Sequence, residues 1–402
     1  MATFSFETME FVDEQDKIRV NFLKIFYFYL DKQELNKISS FTIEKNSITL
    51  NDVSEAKASN KLNFLLFKGF QNLINKITKK RTVYIHKNSN IPLIGNIGFG
   101  ILDRGSNIIE VRPVSGCNIR CVYCSVNDDA RISEYVVEKD YLVEELRKLV
   151  EFKNTDKIEA HIAAQGEPTL YFDLVNLIKD IRNIPQVETI SIDTNGTILT
   201  PKYVDELIDA GLTRFNFSLN AIDKQTALKI ADAPYNHDKV IDIIKYISTR
   251  CELIIAPVFV HGFNDEELDK IIEFTKSLKN EIFQPKIFIQ NFLNYRFGRN
   301  PAKQVSFEEF YEILKRLEQK HKVKLIIDQT DFNIVPTKTM PKPFKKDDIV
   351  QVEIVDKGRL KGEMIGVSNG RAISIFGADK KGRATVRITR TKHNIFFADF
   401  IK

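Results

Sequence analysis

Three of the four cysteines in this 402-residue chain fall within a single short stretch, Gly-Cys-Asn-Ile-Arg-Cys-Val-Tyr-Cys-Ser, as Cys117, Cys121 and Cys124. Thiolates at that density bind a soft metal ion or an iron–sulfur cluster. The fourth cysteine, Cys251, sits in an apolar run far along the chain and reads as a small buried hydrophobe. A closed cluster or a structural zinc site takes four protein ligands, and this loop supplies three, so one coordination position is left open for chemistry. The alternative is a zinc loop completed by Cys251, His161 or an aspartate.

The C-x3-C-x2-C spacing, with aromatic Tyr123 before the last cysteine, resembles the radical S-adenosylmethionine (SAM) superfamily. The resemblance implies that Cys117, Cys121 and Cys124 hold a [4Fe–4S] cluster. It also implies that the open iron binds the amino and carboxylate groups of SAM. An electron from the cluster then cleaves SAM to methionine and a 5′-deoxyadenosyl radical.

The elements around the loop must hold it at a site. Apolar runs at 108–113, 158–164, 188–193, 214–219, 253–260 and 286–292 alternate with amphipathic stretches near 135–152, 172–183, 201–210, 236–249, 265–279 and 306–321. Strand and helix alternating at this interval predict βαβ units on a parallel sheet, with strands that are continuously apolar because helices cover them. The expected class is α/β, and six units fit a partial (β/α)6 barrel, the fold that the resemblance implies. In such barrels the site lies at the C-terminal strand ends. There the sequence places the cysteine loop, Gln165-Gly166-Glu167-Pro168, Asp193-Thr194-Asn195, Ser218-Leu219-Asn220, His261-Gly-Phe-Asn264-Asp265 and Gln290 to Tyr295. Gly166-Glu167-Pro168 resembles the family's GGEP element, with Gln165 in place of the first glycine. The resemblance implies contacts from this turn to the methionine amino group. It likewise assigns Asp193, Thr194, Asn195, Ser218 and Asn220 to the SAM ribose and carboxylate, and the turn of His261 and Asn264 to the adenine. Read singly, each of these is a strand-end cap or Asx turn. His161, inside an apolar strand, reads as a satisfied histidine rather than a ligand.

Residues 1–90 carry no motif and are expected to form a small α/β accessory domain. Val20–Leu30 suits strand or helix equally, and Phe64–Ile77 suggests an amphipathic helix. Residues 91–335 form the expected catalytic domain, entered through a glycine-rich ribbon at 92–103. Residues 336–343, with three prolines, read as a stiff linker. Residues 344–402 contain short strand-like runs punctuated by glycines, which predict a small all-β barrel of OB-like type. This segment resembles the TRAM domain, an RNA-binding barrel, and the whole architecture resembles archaeal radical SAM–TRAM proteins.

Charge supports the same reading. The chain carries +5, but residues 342–402 hold 14 Lys and Arg against 7 Asp and Glu, a net +7, leaving −2 for the rest. A basic terminal module points to a nucleic-acid partner. The expected partners are RNA, in particular tRNA, and an electron donor such as ferredoxin or flavodoxin. No apolar run is long enough to span a membrane and no secretory signal is present, so a cytoplasmic protein is expected. The leading function is modification of a nucleoside in structured RNA. The alternatives are radical chemistry on a protein side chain or small metabolite, and a non-enzymatic RNA-binding protein with a structural metal. One spare cysteine cannot supply a second cluster. Deleting residues 342–402 is expected to weaken RNA binding while leaving SAM cleavage intact.

Overall fold

The computed structural model describes all 402 residues, which group into two compact units. The first comprises Met1–Ile85 and, from much later in the chain, Ile132–Val136. The second comprises His86–Arg131 and Val137–Lys402, so the C-terminal barrel groups with the parallel sheet.

The first unit is dominated by strands. A three-stranded sheet joins Ala2–Ser5, Ser47–Leu50 and Phe41–Ile43, and a six-stranded sheet runs from Met9–Glu14 to Ser133–Val137. The ambiguous aromatic stretch is a hairpin, Lys17–Phe22 paired with Phe26–Asp31. Leu23 and Lys24 turn it with φ of 48° and 66°, a conformation usually signalled by glycine or asparagine. The helix expected at 64–77 instead spans Glu55–Phe70. It stops before Ile74–Asn75 enters the sheet, and Arg81 starts the next strand.

In the second unit six parallel strands follow chain order: Ile108–Arg112, Ile158–Ile162, Val187–Thr194, Arg214–Phe217, Glu252–Ile255 and Lys286–Ile287. The sheet is open, and Gly100–Asp103, within the expected glycine-rich ribbon, pairs antiparallel with the first strand. Helices follow each strand, including Lys139–Lys153, Leu174–Arg182, Pro201–Asp209, His237–Ser248, Glu267–Ser277 and Phe307–His321. The helix expected from residue 135 begins at Lys139, because Ser133–Val137 is a strand. A further helix, Lys224–Ala231, has no counterpart in the periodicity reading.

The parallel strands are not continuously apolar. Cross-strand register aligns Glu110, His161, Ser191 and Arg214 in one row, with Asp193 opposite Asn216. Residues in register lie on one face, and the face is bonded across strands: His161 Nδ1 meets Ser191 Oγ at 2.8 Å, and Glu159 accepts from Ser191 Oγ and pairs with Arg214. Ile109, Val111, Ile190, Ile192, Phe215 and Phe217 alternate with them and are buried. One face of the sheet is therefore an apolar core and the other is polar.

The C-terminal barrel is closed by five strands, Ile349–Lys357, Glu363–Ser368, Arg371–Phe376, Gly382–Arg390 and Phe396–Phe400. Around the barrel they follow the order first, second, third, fifth, fourth and back to the first, with the third and fifth parallel. Val352, Ile354, Met364, Ile373, Ile375, Val386, Ile388 and Phe396 fill it. Closure leaves no exposed sheet edge.

The barrel is anchored to the rest of the second unit. Its Ala372 and Phe396 amides donate to the Ile94 and Gly95 carbonyls, both at 2.9 Å, and buried Asn96 donates to buried Ser374 at 3.0 Å. Gly95 has φ +125°, and a Cβ there would lie 2.1 Å from the Ala372 oxygen, so only glycine fits. The proline-containing segment is also fixed. The fully buried pair Lys153–Asp103, at 2.7 Å, binds it through Lys153 Nζ to Thr337 Oγ1 at 2.8 Å and the Met340 amide to Asp103 at 2.9 Å.

Candidate active site at the three-cysteine loop

The loop after the first parallel strand is seated by its backbone. The Arg120 and Val122 amides donate to the Ala231 and Ile230 carbonyls at 3.0 and 2.9 Å, at the end of the helix missed by periodicity. Val122 and Tyr123 pack against Ala221, Ala227 and Ile230. Within the loop the Cys124 amide donates to the Cys121 carbonyl at 3.1 Å. All three cysteines line one cavity of about 330 Å³ at the C-terminal strand ends.

The chemistry of the thiols suits a soft cation. Burial, reinforced by neighbouring thiols and Glu167, holds Cys117 far above the usual thiol range. Burial and the adjacent Cys124 push Cys121 up to about 12. Such thiols stay protonated at neutral pH until a metal displaces the protons. No three His, Cys, Asp or Glu side chains are gathered closely enough to hold a single metal ion. Two of the candidate fourth zinc ligands do not line the cavity: Cys251 Sγ faces the Leu212 carbonyl at 3.9 Å, and His161 binds Ser191 at 2.8 Å and Asp193 at 3.2 Å. Three thiols lining one cavity, with Cys251 and His161 outside it, make the three-cysteine donor set that a cluster with one open iron takes.

The other strand-end residues divide by position. Tyr123, Gly166, Glu167, Asp193, Thr194, Asn195, Ser218 and Asn220 line the same cavity as the cysteines. Pro168, His261 and Asn264 do not line it. His261 is exposed and held by Asp265, while Asn264 is buried and donates to the Asn220 and Val258 carbonyls at 3.0 and 2.9 Å. Asn264 thus braces the loop that presents Asn220 instead of lining the cavity. Pro168 opens a short 3-10 turn behind Glu167.

Glu167 lines the cavity and is also held by donors of the protein. Its buried carboxylate accepts from the Thr169 amide at 3.1 Å, Thr194 Oγ1 at 2.8 Å and the Asn195 amide at 2.8 Å, and also from Thr169 Oγ1. Its own amide donates to the Gly116 carbonyl at 2.8 Å. The side chain ties the second strand end to the third and the amide ties it to the cysteine loop, with the carboxylate's acceptors directed at protein donors. Gly166 is pressed onto the same loop, where a Cβ would meet the Gly116 oxygen at 2.4 Å. Asn195 Nδ2 reaches Asn118 Oδ1 at 3.1 Å and lies 4.0 Å from Cys117 Sγ. Asn220 Nδ2 donates to Tyr123 Oη at 2.8 Å.

Sequence reading missed several cavity residues: Asn216, Arg131 and Tyr235. Asn216 was legible, since Arg-Phe-Asn-Phe alternates polar and apolar residues at the strand period. Asn216 donates to Asp193 at 3.1 Å, beside the His161 contact. Burial opposes ionisation of Asp193, but the His161 charge and hydrogen bond outweigh it and hold its carboxyl below the usual range. The cavity floor therefore presents an ionised carboxylate and an amide. Arg299 also lines the cavity, where its guanidinium donates to the Arg120 carbonyl at 2.6 Å and pairs with Asp232 at 2.7 Å.

Comparison with known proteins adds to this geometry. The family model described as the radical SAM superfamily matches residues 111–275. A protein of Methanocaldococcus jannaschii, itself uncharacterised, is 38% identical over 371 residues, 85% of each chain. The GTP 3′,8-cyclase of Petrotoga mobilis is 32% identical over 177 residues, 43% of this chain and 53% of its own, so the chain spans about half of that enzyme. A solved structure of TYW1 with a lysine–pyruvate adduct is similar with TM-score 0.40 and 19% identity, covering 58% of this chain and 80% of that one.

Proposed function

We propose that this chain, which belongs to the radical SAM superfamily, modifies a nucleoside within folded RNA, with tRNA as the first candidate. Enzymes of this superfamily use a [4Fe–4S] cluster and SAM and need an electron donor. A cluster bound there would supply the electron for reductive cleavage of SAM. Cys117, Cys121 and Cys124 would hold the cluster. Tyr123 and Asn220 brace the loop from one side, and Gly166 and Glu167 from the other. Asp193, Asn195, Ser218 and Asn216 offer the short polar groups that a zwitterion and a ribose diol require.

The observation that carries the RNA reading is the barrel. It is a closed five-stranded barrel, its segment carries a net +7, and its Arg359 contacts the cavity-lining Gln165. A basic barrel suits a phosphate backbone, and the target nucleotide must leave its stack to enter the cavity. A second reading, a small nucleotide substrate, is supported by similarity to an enzyme whose name gives GTP as its substrate.

Anaerobic reconstitution with SAM and dithionite tests both. The expected result is 5′-deoxyadenosine whose formation rises several-fold with bulk tRNA and is unchanged by GTP. A rise with GTP alone would transfer the assignment to the small-nucleotide reading. Failure to form it with a loaded cluster would return the site to a structural role.

A further inference from the structure

Gln165 stands where the resembled GGEP element has its first glycine, and its side chain is where the C-terminal barrel reaches the cavity. The turn between the first two barrel strands, 358–362, carries Arg359, which is 4% exposed. The Glu363 carboxylate fixes that turn by accepting from the Arg359 and Leu360 amides at 3.1 and 3.0 Å. Arg359 Nη2 then donates to Gln165 Oε1. The other end of the same amide, Gln165 Nε2, points to Ser125 Oγ at 3.3 Å, one residue past Cys124.

Arg131 closes the junction from the sheet side. Its Nη1 donates to the Ser115 carbonyl at 2.7 Å and its Nη2 to the Gln165 carbonyl at 3.1 Å. Its backbone forms a bridge with Leu360, and the Lys361 amide donates to the Ala130 carbonyl. The segments before Cys117 and after Cys124, the Gln165–Glu167 turn and the barrel turn thus meet at one point. Gln165 lines the cavity, whereas Arg359 does not.

We propose that Arg359 is a positioning residue for the cofactor cavity: by holding the Gln165 side chain it sets the Gly166–Glu167 turn against the cysteine loop. The barrel is then a structural part of the SAM site as well as a surface for substrate. This inference rests on the reading of the cavity as a SAM site. It revises the expectation that residues 342–402 can be removed with SAM cleavage intact, because their removal takes away a wall of the junction. A guanidinium suits the task, since its rigid fork reaches a carbonyl oxygen while the stem stays buried.

The test uses the full-length, cluster-reconstituted protein and its R359A, R359K, Q165A and R359A/Q165A variants. Iron content, thermal stability, SAM affinity by calorimetry and 5′-deoxyadenosine formation without RNA are measured. R359A is expected to keep its iron and to weaken SAM binding about tenfold, with KM raised and kcat within about twofold, the size expected for losing one charge-assisted contact. R359K should recover most of the affinity. Q165A, which also loses the Ser125 contact, should weaken SAM binding at least as much as R359A, and the double variant should be no worse than Q165A, because both single variants remove the Arg359–Gln165 interaction. If R359A does not fold, Q165A and R359K carry the comparison, since they leave the barrel's own contacts in place. Wild-type SAM affinity in R359A or Q165A, or fully additive losses in the double variant, would overturn the proposal. Absence of SAM binding by the wild-type protein would overturn the reading of the cavity, and the proposal with it.

Discussion

Alanine at any one of positions 117, 121 or 124 is expected to abolish cluster loading. The brown absorbance and bound iron should fall to background, and 5′-deoxyadenosine should drop below detection. Three thiols lining one cavity are the whole cysteine complement of the site. Losing one leaves two irons without protein ligands where the superfamily leaves one, so the cluster has too few anchors to persist. Cys251→Ala is the control: its thiol is buried away from the cavity against the Leu212 carbonyl. It should load iron normally and cost about 1 kcal/mol of stability. Retention of iron in all three loop variants would remove the site assignment.

The second large effect is on stability against pH. His161 is largely buried, and burial alone would lower its pKa. The Asp193 charge and hydrogen bond, with Glu110 and Glu159 nearby, more than reverse this and raise it from 6.5 to about 9. A raised pKa means that the folded state holds its proton more tightly. The stabilisation is therefore complete below pH 6.5, where both states are protonated, and is lost as pH rises through about 9. Linkage converts the shift to about 3 kcal/mol over that window. Thermal unfolding measured from pH 6.5 to 9.5 should fall more steeply for wild type than for His161→Gln. Parallel curves would mean that His161 is neutral in the folded protein and that the ion pair with Asp193 is absent. Because Asp193 lines the cavity, the same variant should also alter the charge presented to the ligand.

Much of this was legible in the sequence because it rests on local spacing. The cysteine triplet, the alternation of strands and helices, and the glycine-punctuated basic C-terminus are properties of neighbouring residues. They sufficed to indicate an α/β domain, a metal-type loop and a β-rich terminal module. The polar face of the sheet was also available, since Glu159-x-His161, Ser191-x-Asp193 and Arg214-x-Asn216 repeat at the strand period. Treating the runs as uniformly apolar obscured it. A parallel sheet is apolar on both faces only where both are covered by helices.

What required the tertiary structure was the destination of side chains whose type permits several roles. Asn264 and Asn220 are alike as strand-end amides, but Asn264 turns inward to brace carbonyls while Asn220 faces the cavity. Glu167 sits in the motif that suggests ligand binding, yet its oxygens are directed at Thr169, Thr194 and Asn195. The separation of Gln165 and Arg359 by 194 positions leaves no trace in local pattern, because their contact exists only once the barrel has docked. The sequence by itself determined which elements form and which chemistry the cysteine loop can support, since propensity, periodicity and ligand type act over a few residues. The tertiary structure decided which polar groups face the cavity and that the basic barrel contacts the cavity-lining Gln165 through Arg359, since those depend on packing between segments distant in the chain.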